Sequence, residues 1–177
     1  EDEEVARVIA ERKLFPCYFG SALKAEGITA LLSGLSRYTL EKKYPEEFAA
    51  RVYKITRDKQ GTRLTHMKIT GGSLKVKDVI KGNSEQGDKW EEKADQIRIY
   101  SGTKFRRAEA AEAGTICAVT GLEHTYAGQG LGKEEKRREA QLEPVLVYRI
   151  KLPSGCDVHS AYLRIKELEE EDPQLHI

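Results

Sequence analysis

The strongest constraint on the fold is a series of short β-prone segments between residues 48 and 122. Each segment is rich in Val, Ile, Thr or Tyr, and glycine-containing turns separate most of them. The candidate strands are 48–57, 64–70, 78–81, 90–100, 105–108 and 115–122. Several short strands at near-regular spacing predict a small antiparallel β-barrel. We assign this domain to residues 45–139.

The residues before the barrel have a different character. The apolar run 14–19 predicts a buried strand, and a small-residue loop, Gly20-Ser21-Ala22, follows it. Ile28, Leu31, Leu32 and Leu35 then recur at the spacing of a core-facing helix. With an opening helix that carries Val5, Val8 and Ile9 on one face, residues 1–44 are expected to form a helix–strand–helix unit. Loops of this kind also occur for packing alone.

The last segment, residues 140–177, is expected to form a strand, a helix and the start of a second strand. Apolar residues alternate with others over 145–152, which predicts a half-buried strand. Asp157 is the expected N-cap of a helix whose apolar stripe runs from Val158 to Leu168. The acidic run 169–172 and Pro173 are expected to end that helix, and 175–177 to begin a strand.

Composition excludes several classes of function. The chain has 30 Lys and Arg against 29 Asp and Glu, a net charge of +1, so no gross bias favours nucleic acid or membrane. No apolar run approaches the roughly 20 residues of a membrane helix. Three widely spaced cysteines predict free thiols in a reducing cytoplasm. His66, His124, His159 and His176 lie in separate elements and have no Cys or carboxylate partner at ligand spacing, so no metal site is predicted. No catalytic residues are predicted either, because the sequence presents no nucleophile or acid–base pair.

Residues 20–32 carry a resemblance to a known family. Gly-Ser-Ala-Leu-Lys followed by Ala-Glu-Gly-Ile-Thr-Ala-Leu-Leu resembles the last guanine-recognition motif of translational GTPases. The resemblance implies that Ser21, Ala22 and Leu23 line the guanine pocket. No phosphate-binding loop and no Asn-Lys-x-Asp occur, so this chain should not hydrolyse GTP by itself. GTP with Mg²⁺ is expected in a longer parent protein, and none bound to this chain alone.

The middle and last segments resemble the elongation factor G superfamily. Residues 63–74 are similar to a hairpin of its second domain, and 109–122 match that barrel's Glu-Ala-x-Ala-Gly signature, with Thr115 where Asp is usual and Lys77 where Gly is usual. Residues 143–145 and 168–173 resemble the start of the third, ferredoxin-like domain. The resemblance implies a mainly β fold: a translation-factor barrel between a remnant of an α/β GTP-binding domain and the β-α start of a ferredoxin-like domain.

Within that superfamily, residues 54–64 have the spacing of the tetracycline-resistance ribosomal protection proteins. We therefore expect an internal part of such a factor, which acts in ribosome docking and as a relay between domains. The alternatives are part of an elongation factor G-like translocase, or a stand-alone β-barrel binding module. An independent enzyme is the least favoured interpretation.

The resemblance implies a barrel that faces the small ribosomal subunit, its RNA and proteins, while other domains of the parent chain contact it elsewhere. Lys and Arg side chains on turns and hairpins are the candidate RNA contacts, although each alone is more often a solvated surface residue. The candidates are Arg57, Lys59, Arg63, Lys68, Lys75, Lys104, Arg106 and Arg107. Trp90 is expected to close the barrel, with stacking on an RNA base as the alternative.

Overall fold

A computed structural model describes residues 2–84, 86–134, 146–172, 174, 175 and 177. The chain divides into two compact units, Glu1–Lys43 and Tyr44–Ile177. The first unit contains α1 (Asp2–Ala10) and α2 (Ile28–Tyr38). The strands of the second unit are β1 (Ala49–Arg57), β2 (Arg63–Gly71), β3 (Ser73–Lys75), β4 (Val79–Asn83), β5 (Lys89–Lys93), β6 (Gln96–Ser101), β7 (Lys104–Ala108), β8 (Ala110–Glu112), β9 (Ile116–Thr120) and β10 (Gly130–Gly132), and its helix is α3 (Val158–Glu171).

The strands of the second unit build one large and two small antiparallel sheets. The large sheet has the order β10-β1-β2-β9-β6-β7, while β3 pairs with β8 and β4 with β5. Inward-facing side chains from all three sheets meet in one core, which includes Met67, Leu74, Ile80 and Ile97. The prediction of a mainly β, antiparallel barrel is confirmed.

Two strand predictions inside the barrel need correction. The predicted strand 90–100 is two strands, because the chain turns at Ala94 and Asp95, whose backbone N–H groups donate to the carbonyls of Asp78 and Thr120. The three-residue strands β3, β8 and β10 were not predicted, since so few residues show no periodicity. Trp90 is 9% exposed and packs in the core, as the barrel-closing role requires.

Lys77 shows how this sequence replaces the glycine that the family resemblance leads one to expect. Its φ is 72°, in the left-handed region that favours glycine. The backbone N–H of Lys77 donates to the Ala94 carbonyl at 2.7 Å, and its Nζ pairs with Asp95 at 2.7 Å. The turn therefore keeps its left-handed conformation with a side chain at this position.

The predicted strands outside the barrel are wrong. Residues 14–19 and 146–152 form no strand, and Phe15, Phe19 and Val147 are 74%, 93% and 98% exposed. A strand needs a hydrogen-bonding neighbour, and the described part of the chain supplies none for either segment. Residues 174, 175 and 177 are not in a strand either, while 173 and 176 lie outside the described residues.

The helix predictions hold, with one difference in burial. The Asp157 side chain accepts the Ser160 N–H at 2.8 Å as the N-cap of α3, which continues through the acidic run to Glu171. Leu32 and Leu35 of α2, expected to face a core, are 59% and 53% exposed. None of the described helices is long and apolar enough to span a bilayer.

Candidate nucleic-acid interface

The large sheet concentrates positive charge. Its six strands contain no Asp or Glu, although the chain as a whole carries almost equal numbers of acidic and basic residues. Their nine basic residues are Arg51, Lys54, Arg57, Arg63, Lys68, Arg98, Lys104, Arg106 and Arg107. Strand pairing thus brings together cations that the linear sequence intersperses with acidic turns.

Four of these cations are held by carboxylates of the second unit. Arg51 pairs with Glu134, and Arg98 with Asp58 at 2.9 Å. Arg57 and Arg63 both contact Glu170 of α3, at 3.2 and 3.1 Å. These arginines connect separate parts of the fold, and three carboxylates offset part of their charge inside the molecule.

The other five, Lys54, Lys68, Lys104, Arg106 and Arg107, make no ion pair with any residue that the structure describes. Strand register separates them by face. Lys54 lies opposite His66 on the neighbouring strand, Lys68 opposite Ile116 and Arg107 opposite Arg98. All three cations are on the face directed away from the core. Lys104 and Arg106 lie on the other face of the edge strand β7, because Ile99, the partner of Arg106, packs against the core.

Four rings cross the same outward face from strand to strand. Tyr53 of β1 lies 6.1 Å from His66 of β2, His66 lies 6.0 Å from Tyr100 of β6, and Tyr100 lies 5.4 Å from Phe105 of β7, measured between ring centroids. We call these four residues the aromatic row. Tyr53, Tyr100 and Phe105 are 50%, 37% and 45% exposed. The row is therefore a continuous surface that solvent reaches.

Polar contacts hold this row in place at two points. His66 Nε2 and Thr56 Oγ1 are 2.8 Å apart, and burial followed by the charge of Lys54 lowers the pKa of His66, which favours the neutral ring. At the β7 end, the Arg98 guanidinium lies 4.7 Å from the Phe105 centroid. The hydrogen bond from Arg98 lowers the pKa of Asp58, with further N–H bonds from Gln60 and Thr62, so this carboxylate stays ionised against Arg98.

The structure distributes the eight predicted RNA contacts over several surfaces. Lys68 and Arg107 lie on the outward face with the aromatic row, and Lys104 and Arg106 on the neighbouring edge. Lys59 is exposed in the β1–β2 turn, and Lys75 is exposed on β3 in a separate sheet. Arg57 and Arg63 contact α3, and Arg63 is only 8% exposed. We therefore leave Arg57 and Arg63 out of the proposed interface.

The aromatic row and Lys54 were not among the sequence-based candidates. A partial signal exists, since Arg98 and Tyr100 alternate with Ile97 and Ile99 along β6. The strand order, which places β6 beside β9 and close to β2, is what brings Tyr100 next to His66. His124, in contrast, contacts Glu92 through Nδ1 at 2.6 Å, and no metal-binding cluster occurs among the described residues.

In the first unit, the candidate guanine loop is closed by its own backbone. Ser21 and Glu26 exchange N–H···O bonds of 3.0 and 3.1 Å, and Lys24 N–H contacts Ser21 Oγ at 3.4 Å. The N–H groups of Ala22 and Leu23 have no partner in the part of the chain that the structure covers. Leu23 is 97% exposed. Two adjacent donors thus remain available to an external oxygen.

Comparison with known proteins identifies a matching family. The family model for elongation factor G domain 2 matches residues 47–134. Elongation factor G of Amoebophilus asiaticus (strain 5a2) is 27% identical over 98% of this chain and 28% of its own length. Elongation factor G 2 of Syntrophus aciditrophicus (strain SB) is 28% identical over 99% of this chain and 30% of its own length.

Two further similarities agree with these. Elongation factor 2 of Thermococcus onnurineus (strain NA1) is 30% identical over 71% of this chain and 17% of its own length. A crystal structure of a Thermus thermophilus protein superposes with a TM-score of 0.65 at 22% identity, over 98% of this chain and 27% of that one, and shows the shared fold. The chain thus spans less than a third of the length of these relatives.

Proposed function

Because residues 47–134 of this chain belong to the elongation factor G domain 2 family, we propose that the chain is a segment of a ribosome-binding translational GTPase. Its barrel docks on RNA of the small ribosomal subunit. The observation that carries this proposal is the acid-free sheet with five cations that make no ion pair among the described residues, three of them on its outward face. Phosphates are the natural partners of such a face, because binding them releases condensed counterions.

In this proposal the segment docks and transmits movement but performs no catalysis. The parent protein binds GTP with Mg²⁺, and Ser21, Ala22 and Leu23 complete its guanine pocket. The N–H groups of Ala22 and Leu23, which no described residue accepts, support that assignment, since a guanine oxygen accepts hydrogen bonds. The contacts of Glu170 with Arg57 and Arg63 hold α3 against the barrel, which supports the proposal that α3 belongs to the start of a third domain.

The docking proposal predicts a change in salt dependence. Replacing Lys54, Lys68 and Arg107 together by glutamine should weaken binding of this chain to small ribosomal subunits. The plot of log affinity against log salt concentration should become less steep, its negative slope decreasing in magnitude by about 2 to 3. Each neutralised phosphate contributes roughly 0.7 to 0.9 to that magnitude. Binding of a fluorescently labelled chain, titrated from low to moderate salt, measures the slope.

A matched control replaces three lysines of the small β4–β5 sheet, Lys81, Lys89 and Lys93, by glutamine. Both variants change the net charge by the same amount, but only the first alters the outward face of the large sheet. Equal losses of slope for the two variants would show that general charge, and not this face, determines binding.

For the whole protein, two roles on the ribosome are distinguished by experiment. An elongation factor G-like role is supported by the names of the curated relatives, whereas ribosomal protection against tetracycline rests on the spacing of residues 54–64. Translation in vitro with tetracycline present, with the full-length protein and GTP added, separates the roles. Restored synthesis is expected only for ribosomal protection; ribosome-stimulated GTP hydrolysis without it indicates the elongation factor role. A stand-alone module would show neither activity.

A further inference from the structure

We infer that the aromatic row binds unpaired RNA bases by stacking, while Lys54, Lys68 and Arg107 hold the adjacent phosphates. This inference rests on the proposed function and specifies the form of RNA that the outward face accepts. Docking through phosphates alone would need only the cations. The rings are an additional feature of the same face, and a base has the flat apolar surface that such rings contact.

The exposure of the rings is unusual for the solvent face of a sheet. An antiparallel sheet with one covered face commonly presents polar side chains on the other. Here Tyr53, Tyr100 and Phe105 are each more than a third exposed, and Ile116 of β9, 56% exposed, adds to the apolar surface. A contiguous exposed apolar patch with a charged border is typical of a binding surface.

Strand pairing and side-chain contacts place the rings beside one another without a ligand. Each sits on a different strand, and pairing of Tyr100 with Phe105 across β6 and β7 sets their separation. Arg98 contacts Phe105 and is itself anchored by Asp58 at 2.9 Å and by Gln96 at 3.4 Å. These contacts restrain Phe105 and Arg98 before binding, so less side-chain entropy is lost there when a ligand binds.

The charges indicate RNA as the occupant. A protein partner with an apolar patch would have to bury or neutralise Lys54, Lys68 and Arg107, which have no acidic neighbour on these strands. An RNA strand supplies phosphates for the cations and bases for the rings at once. Aromatic side chains on an open sheet face stack two or three bases in other RNA-binding domains, and such stacking tolerates any base sequence.

The test compares two strands of equal charge on the intact 177-residue chain. One probe is an oligoadenylate of about twelve nucleotides, within the length that a single barrel of this size can cover, and the other is a strand of the same length with abasic sites throughout. Fluorescence anisotropy at one fixed salt concentration should give tighter binding of the oligoadenylate. Tyr100→Ala and Phe105→Ala should each weaken that binding roughly 5- to 150-fold and leave the abasic strand unaffected. Lys68→Gln should weaken both strands alike.

Conservative variants guard against a trivial loss of folding. Phe105→Tyr and Tyr100→Phe keep a ring at each position and should stay within about twofold of the original affinity, since stacking needs only the aromatic face. Equal binding of the two probes, or equal losses on both for the alanine variants, would overturn the stacking inference. The proposal of docking through phosphates is tested independently, by the effect of the triple glutamine variant on the salt dependence of ribosome binding. That proposal would remain supported by a less steep salt dependence even if the stacking inference were overturned.

A crosslink on the ribosome distinguishes RNA from protein as the occupant. A photoreactive benzoylphenylalanine in place of Phe105, in the chain bound to small subunits, should attach to RNA. Attachment to a ribosomal protein instead would contradict the inference and identify the face as a protein-docking surface.

Discussion

Arg63→Ala is expected to destabilise the barrel by about 2–5 kcal/mol, although this arginine has the sequence context of a surface cation. Its guanidinium donates to the carbonyl oxygens of Leu122 at 2.7 Å and Thr125 at 2.6 Å. It also donates to Thr125 Oγ1 at 2.9 Å and contacts Glu170 at 3.1 Å. Leu122 and Thr125 are 1% and 2% exposed, so alanine would leave two buried carbonyls without donors, at about 1–3 kcal/mol each.

Chemical denaturation followed by circular dichroism measures this loss. Lys59→Ala, an exposed cation in the β1–β2 turn, is the control and should change the free energy of unfolding by less than about 0.5 kcal/mol. Arg63→Lys should also destabilise, because an ammonium group cannot reproduce the planar fork that reaches both carbonyls. If Arg63→Ala behaved like Lys59→Ala, the buried network would not contribute to stability.

Ile97→Ala is expected to cost about 2–5 kcal/mol through the cavity it leaves. Ile97 is fully buried on β6, where it pairs with Val119 of β9 and Ala108 of β7. Its side chain belongs to the core that joins the large sheet to the small ones. Hydrogen bonding between the neighbouring strands keeps the surrounding backbone in place, so the core cannot collapse fully into the space that the Ile97 side chain leaves.

Two variants calibrate this effect in the same denaturation experiment. Ile97→Val removes one methylene and should cost about 0.5–1.5 kcal/mol. Ile116→Ala changes an isoleucine of the adjacent strand that is 56% exposed and should have little effect. Similar losses for Ile97→Ala and Ile116→Ala would mean that the assigned faces of the sheet are wrong.

Local chemistry explains which parts of the fold were predictable. Strands β1, β2 and β9 were predicted to within one or two residues, because alternating β-branched residues end there at glycine or charged turns. Asp157 was predicted as the N-cap because its role depends only on the next three residues. The error at residues 14–19 has the opposite cause: an apolar run becomes a strand only beside another strand, which local sequence does not show.

Burial explains why the site was only partly predictable. Lys68 and Arg63 are both basic residues of β2 and look equivalent in the sequence. In the structure, Lys68 lies outward beside Ile116, while Arg63 reaches Leu122 and Thr125, which are distant along the chain. Cys117, next to Ile116, faces inward, where burial raises the pKa of its thiol to about 12.

The sequence by itself determined that this chain contains a small antiparallel barrel followed by a capped helix, because turns, strand periodicity and caps are set by neighbouring residues. The tertiary structure alone decided which cations carboxylates hold and that four rings from four strands form one surface. Both depend on strand order, since the β1–β2 and β6–β7 hairpins come together only when β9 pairs with β2 on one side and with β6 on the other. A chain of net charge +1 thereby acquires an acid-free sheet, because the described carboxylates of the second unit lie in its turns, loops, small sheets and α3.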